Sequence, residues 1–218
     1  MFFFSSVTRT SVLPLDFDAD VLFLVDSSSD VSQENYNREK NFVKSLAFIL
    51  NLKPGKTRAA VVIYGNFART VIRFTDYASL SSFFRRIDTL PFLRGRRRLD
   101  SALIEGGSVL DTARPSADKV AILLTAGRHT QEVGAPPLNQ AVESIRSHNA
   151  KLFVVAIGQR VDETELRPLT REPIVVSGFN VLIRNSIRIA KDIKNITGML
   201  AFSPIVKLLD LTHPNFHG

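Results

Sequence analysis

Ala19-Asp20-Val21-Leu22-Phe23-Leu24-Val25-Asp26-Ser27-Ser28-Ser29-Asp30 is an almost unbroken apolar run that stops on a carboxylate, three hydroxyls and a second carboxylate. Strands apolar on both faces belong to parallel sheets covered by helices, so Asp20–Val25 reads as a buried central strand. In open α/β sheets ligands are met beyond the strand carboxyl ends, which puts Asp26 at the functional edge. The fold class that follows is α/β, a doubly wound and mostly parallel sheet with helices on both faces.

Downstream, Phe42, Val43, Leu46, Ala47, Ile49 and Leu50 recur at helical spacing, and Ser32 with Glu34 suits a helix start, predicting a helix over 32–51. Lys53-Pro54-Gly55-Lys56 closes it in a turn. Residues 57–64 form a second buried strand. Gly65-Asn66 turns the chain back into an alternating strand over 68–74, the one antiparallel edge strand expected. Further helices are predicted over 79–87, 99–112, 138–147, 162–169 and 181–196, and further strands over 118–125, 151–157 and 174–176. This alternation supports one doubly wound sheet. Residues 1–17 read as a leader, 18–197 as the domain, and 198–218 as a tail or linker with an amphipathic piece over 205–211.

The 28 Lys and Arg exceed the 21 Asp and Glu, giving a net charge of +7. Such a surface favours anionic partners without naming one. The absence of cysteine excludes disulfides, thiolate metal sites and thiol nucleophiles. Met1-Phe2-Phe3-Phe4 is too short for a signal-peptide core. The expectation is therefore either an intracellular protein or a piece of a longer secreted chain.

Four stretches carry a family resemblance: Asp26-Ser27-Ser28-Ser29, the run Ala60 to Gly65, the run Val120 to Gly127, and the run Leu152 to Gly158. Together they resemble a von Willebrand factor A domain over about residues 18–197, closest in flavour to the A domains of collagen VI-type matrix proteins. The resemblance implies a Rossmann-like sheet and adhesion through a divalent ion at a metal-ion-dependent adhesion site. That motif needs an Asp, two hydroxyls after it, a Thr from a second loop and a further Asp after the fourth strand. Asp26 and Ser28 match; Asp30 replaces the second hydroxyl, Arg97 stands where the Thr belongs, and Ala126 where the second Asp belongs.

A guanidinium has no lone pair to donate and adds positive charge, while Ala126 removes a neutralising carboxylate. The expectation is that no cofactor is bound, that Asp26, Ser28 and Asp30 form a residual metal site suited to magnesium, and that Arg97 or a neighbour pairs with Asp26 and Asp30. Asp26 and Ser28 also fit a simpler role, in which a carboxylate and hydroxyl at a strand end hold backbone donors.

Arg94, Arg96, Arg97 and Arg98, with Arg128, read either as a solvated face or as a site for acidic protein or heparan sulfate-like polysaccharide. Asn195-Ile196-Thr197 is a glycosylation sequon if the chain is secreted. No glycine-rich phosphate loop follows the first strand, and no nucleophile elbow surrounds Ser28, so a hydrolase built from Ser28, Asp26 and His129 is disfavoured. His148, His213 and His217 lack metal-ligand spacing. Nucleic-acid binding rests on charge alone, and membrane insertion is not expected.

The resulting expectation is a non-enzymatic protein-binding or adhesion module of an extracellular matrix protein, with matrix or cell-surface proteins as partners. Two alternatives stand beside it: a magnesium- or manganese-dependent adhesion domain using Asp26, Ser28 and Asp30, and an intracellular scaffold module.

Overall fold

The computed structural model describes residues 18–196; the expected leader (1–17), Thr197 of the sequon, and the expected tail (198–218, with the amphipathic piece, His213 and His217) lie outside the described residues. Six strands form one sheet: β1 (Ala19–Asp26), β2 (Arg58–Tyr64), β3 (Ala68–Ile72), β4 (Asp118–Thr125), β5 (Lys151–Ile157) and β6 (Ile174–Val176), in the order β3-β2-β1-β4-β5-β6. All neighbours pair in parallel except β2 and β3, joined by the Gly65-Asn66 turn. β1 is fully buried along its length, as its apolar run predicts.

Alternate residues of each strand enter two cores. Val21, Phe23 and Val25 face helices α1 (Gln33–Ile49), α2 (Leu80–Asp88) and α7 (Ser186–Ile196). Leu22 and Leu24 face α3 (Leu99–Leu110), α4 (Leu138–Ala141), α5 (Glu143–Arg146) and α6 (Glu163–Leu166). Each large apolar side chain taken out of water contributes about 1.5–3 kcal/mol. No helix among the described residues is long and apolar enough to cross a membrane.

Several element boundaries differ from those expected; α6, for one, stops at Leu166 where the helix was expected to reach Leu169. β3 stops at Ile72 because Asp76 accepts the Arg73 amide (2.9 Å), folding the next residues into a turn. The helix expected over 138–147 is two short segments meeting at Val142, where the Ile145 amide reaches the Val142 carbonyl in a tightened turn. The last helix begins at Ser186, preceded by 3₁₀ turns at Phe179–Val181 and Ile183–Asn185.

Candidate functional site

The strand order reverses direction between β1 and β4, and at that point Asp26 and Ala126 lie side by side at the carboxyl edge. Asp26 is fully buried, and both oxygens of its carboxylate accept hydrogen bonds. Oδ1 accepts the Ser28 amide (3.0 Å), while Oδ2 accepts the Ala126 amide (3.2 Å) and Arg97 Nε (2.5 Å). The strand-end carboxylate thus holds backbone donors from two loops and a guanidinium at once.

Arg97 is 2% exposed. Its Nη1 also donates to Asp30 Oδ2 (3.1 Å) and to the Arg128 carbonyl (3.4 Å). A Cβ added to Gly127 would lie 2.5 Å from Nη1, so the guanidinium is seated against the backbone that follows β4. Burial is the largest single influence and would lower its pKa, but the Asp26 charge and hydrogen bond, with Tyr64 and the Asp30 charge, together outweigh it and hold the pKa above its ordinary value.

Two further buried polar side chains, Ser28 and Glu39, border this pair. Ser28 Oγ, Arg97 Nη2 and both carboxyl oxygens of Glu39 lack a hydrogen-bond partner. Glu39 lies on α1 between Tyr36 and Phe42, on the face that packs on the sheet. Burial first, and then the Asp26 charge, push its carboxyl well above the usual carboxylate range.

The loop carrying Arg97 is fixed by the β1 turn. The Leu93 amide donates to Ser27 Oγ (2.7 Å) and the Arg94 amide to the Ser27 carbonyl (2.7 Å). Gly95 and Ser29 are cross-bonded, Gly95 N–H to Ser29 Oγ at 2.7 Å and Ser29 N–H to the Gly95 carbonyl at 2.8 Å. Arg94 (φ 63°) and Gly95 (φ 81°) are both left-handed, a turn that glycine takes freely and arginine takes at a cost. At the loop's start, Tyr36 donates to the Pro91 carbonyl (2.8 Å) and stacks on Phe92 at 5.0 Å, tying α1 to the same loop.

The five arginines singled out in sequence therefore separate. Arg97 is buried, and Arg98 is held by Asp100 (2.5 Å) and by Glu132. Arg128 is exposed but paired with Asp162 (3.1 Å). Arg94 and Arg96 are exposed, and no ion pair engages either among the described residues. Sequence reading missed Arg160, whose Nη2 donates to the Asp30 carbonyl (2.9 Å), and Glu39, whose signal was an acid on an apolar helix face.

His129 does not meet Ser28. Its Nδ1 accepts the Leu99 amide (3.2 Å), which places the ring proton on Nε2 facing Gln131 Oε1 (3.3 Å). It caps α3, whose Arg98 side chain makes no capping bond. His148 spans Asp111 (2.8 Å) and the Ser144 carbonyl (2.9 Å). Asn195 is exposed near the end of α7.

Comparison with known proteins agrees with this architecture. The chain is 26% identical to von Willebrand factor A domain-containing protein 2 of Homo sapiens over 148 residues, covering 66% of the chain and 19% of that protein. It is 26% identical to the collagen alpha-1(VI) chain of Gallus gallus, covering 69% of the chain and 15% of the collagen. The chain thus spans about a fifth or less of these two relatives. Its fold matches proximal thread matrix protein 1 of the mussel byssus with a TM-score of 0.72 at 19% identity, over 81% of this chain and 48% of that one. Another structure of the mussel protein has zinc in its MIDAS motif. The family model for the von Willebrand factor type A domain matches residues 20–192, and the chain belongs to that family.

Proposed function

We propose that this chain is a non-enzymatic protein-binding module of an extracellular matrix or adhesion protein, working without a bound metal ion. The observation that carries this reading is the Arg97 guanidinium seated on Asp26. A divalent cation needs free oxygen donors in near-octahedral array, and the residues present do not suit one. Asp26 is engaged by two amides and a guanidinium, position 126 offers a methyl group, and Arg97 brings a fixed positive charge. Arg97 itself supplies the positive charge that the carboxylates require, and it does so through a covalent tether.

Extracellular matrix placement is supported by relatives whose names are collagen chains and by a structural neighbour that is a matrix protein. Collagen relatives also support protein contact in place of catalysis, and Ser28 and His129 form no nucleophile–base pair.

A solid-phase assay of the chain against solubilised matrix proteins, in EDTA and in magnesium, tests the reading. Equal binding in the two buffers is expected; binding abolished by EDTA contradicts it. A glycan found at Asn195 by mass spectrometry of native material would support secretion, and a native chain confined to the cytosol would favour the scaffold alternative.

A further inference from the structure

We infer that the rim around the Ser29–Asp30 turn, made of Arg94, Arg96, Arg160 and Phe67, binds an acidic, aromatic-containing protein segment. The inference rests on the metal-free reading, and it replaces a metal-held carboxylate with guanidinium-held ones.

The three arginines are gathered by backbone contacts. Arg94 and Arg96 flank Gly95, which is cross-bonded to Ser29, while Arg160 donates to the Asp30 carbonyl on the other side of the same turn. All three are exposed, and none is paired with a carboxylate among the described residues. Of their acidic neighbours, Asp30 is committed to Arg97 and Asp162 to Arg128, while Glu163, which lines the groove beyond Arg160, has no ion pair among the described residues and leaves the rim a net excess of guanidinium charge. The rim thus carries unneutralised guanidinium forks, which recognise planar carboxylates by paired hydrogen bonds. Arg94 is preorganised by its backbone turn and by the Phe92 ring beneath it, 5.5 Å from the guanidinium carbon to the centroid. Order before binding reduces the entropy lost on binding.

An aromatic residue separates a protein partner from a polysaccharide. Phe67 is 56% exposed, and its neighbour Asn66 accepts the Arg96 amide at 2.7 Å, so the ring borders the basic rim. An open groove of about 600 Å³ lined by Arg128, Gln159, Arg160, Val161, Asp162 and Glu163 continues the surface beyond Arg160. Protein interfaces are anchored by aromatic and arginine side chains together, whereas a highly sulfated sugar is held chiefly by its charges.

The test measures binding of a fluorescent Glu/Tyr copolymer peptide, and of heparin fragments, to the whole chain in EDTA. Charge reversal at Arg94, Arg96 and Arg160 together should weaken peptide binding about tenfold or more. Reversal of Arg73, Arg85 and Arg86, an equal charge change on exposed positions elsewhere, should leave it within about twofold. Phe67→Ala should weaken the peptide about fivefold and leave heparin unchanged. Peptide binding that survives EDTA but ignores the triple reversal overturns this inference alone. Binding destroyed by EDTA overturns the metal-free reading and the inference with it. Heparin binding without peptide binding, or indifference of the peptide to Phe67→Ala, overturns the choice of a protein partner.

Discussion

Arg97 Nε donates to Asp26 Oδ2 at 2.5 Å, with the two side chains 2% and 0% exposed, at the point where the sheet reverses its strand order. A charge pair this deep is unforgiving. Replacing both partners by apolar or neutral groups can be nearly neutral, whereas removing one leaves an uncompensated buried charge.

Arg97→Ala should therefore cost about 3–5 kcal/mol. For a chain of this size that lowers the melting temperature by about 2–4 °C per kcal/mol. Arg97→Met combined with Asp26→Asn should recover most of the loss, and a double-mutant cycle by thermal unfolding measures the coupling. Additive losses would mean that the pair is not energetically coupled.

Glu39 is expected to destabilise the neutral-pH fold. Its folded pKa is raised, so between the unfolded and folded values the native state retains a proton that the unfolded chain has released. Stability from this group is therefore fully present below the unfolded pKa and falls as pH rises toward the folded one. Glu39→Gln, or Glu39→Leu, should stabilise the chain by about 1–3 kcal/mol at neutral pH. The gain should shrink in acid, and denaturant unfolding at several pH values measures it. A loss of stability at neutral pH would show that Glu39 makes a favourable contact.

Asp20 behaves oppositely at the other end of β1. Burial raises its pKa, but hydrogen bonds from Arg58 (2.5 Å) and Arg114 (2.9 Å) outweigh that and hold the carboxyl below the usual range. Its contribution is present above the unfolded pKa and is lost as pH falls through the lower folded one. Asp20→Asn should cost about 3 kcal/mol at neutral pH, where it strands the Arg58 guanidinium and takes from Arg114 one of its two carboxylates, Asp18 remaining. The difference from the native chain should narrow below about pH 4, the ordinary carboxylate range, as followed by unfolding in acid.

Gly95→Ala places a side chain on a left-handed residue, where a Cβ would also fall against the Asn66 side chain. It should cost about 1–3 kcal/mol. Because Gly95 ties Arg94 and Arg96 to Ser29, peptide binding at the rim should fall with it; unfolding and binding measured on one preparation separate the two effects.

The sheet was legible because its determinants are local. Continuous apolar runs such as Val21–Val25 and Val120–Leu124, short, rich in branched residues and bounded by turn signals, read as buried strands between helix layers, and Gly65-Asn66 announces the antiparallel turn. Helix ends were less legible: the segment over 138–147 is interrupted by a tightened turn at Val142, which periodicity over so few residues cannot distinguish from continuation. At the candidate site, Asp26, Ser28 and the substitutions at 97 and 126 were readable from their places after strands. Which arginine turns inward was not, because four arginines in one loop differ only in what the fold sets beside them. Arg160 and the His129 cap of α3 depend on contacts between loops far apart in sequence, which no local pattern encodes.

That Arg97 takes the place of a metal ion is tested by isothermal titration of magnesium and manganese into three chains: the native protein, Asp26→Ala, and the double variant Arg97→Thr with Ala126→Asp. The native chain should give no binding heat, and the double variant, which restores a hydroxyl and a carboxylate and removes the guanidinium, should gain binding. Saturable binding to the native chain that disappears in Asp26→Ala would show instead that Asp26 holds a metal ion and that Arg97 does not replace it.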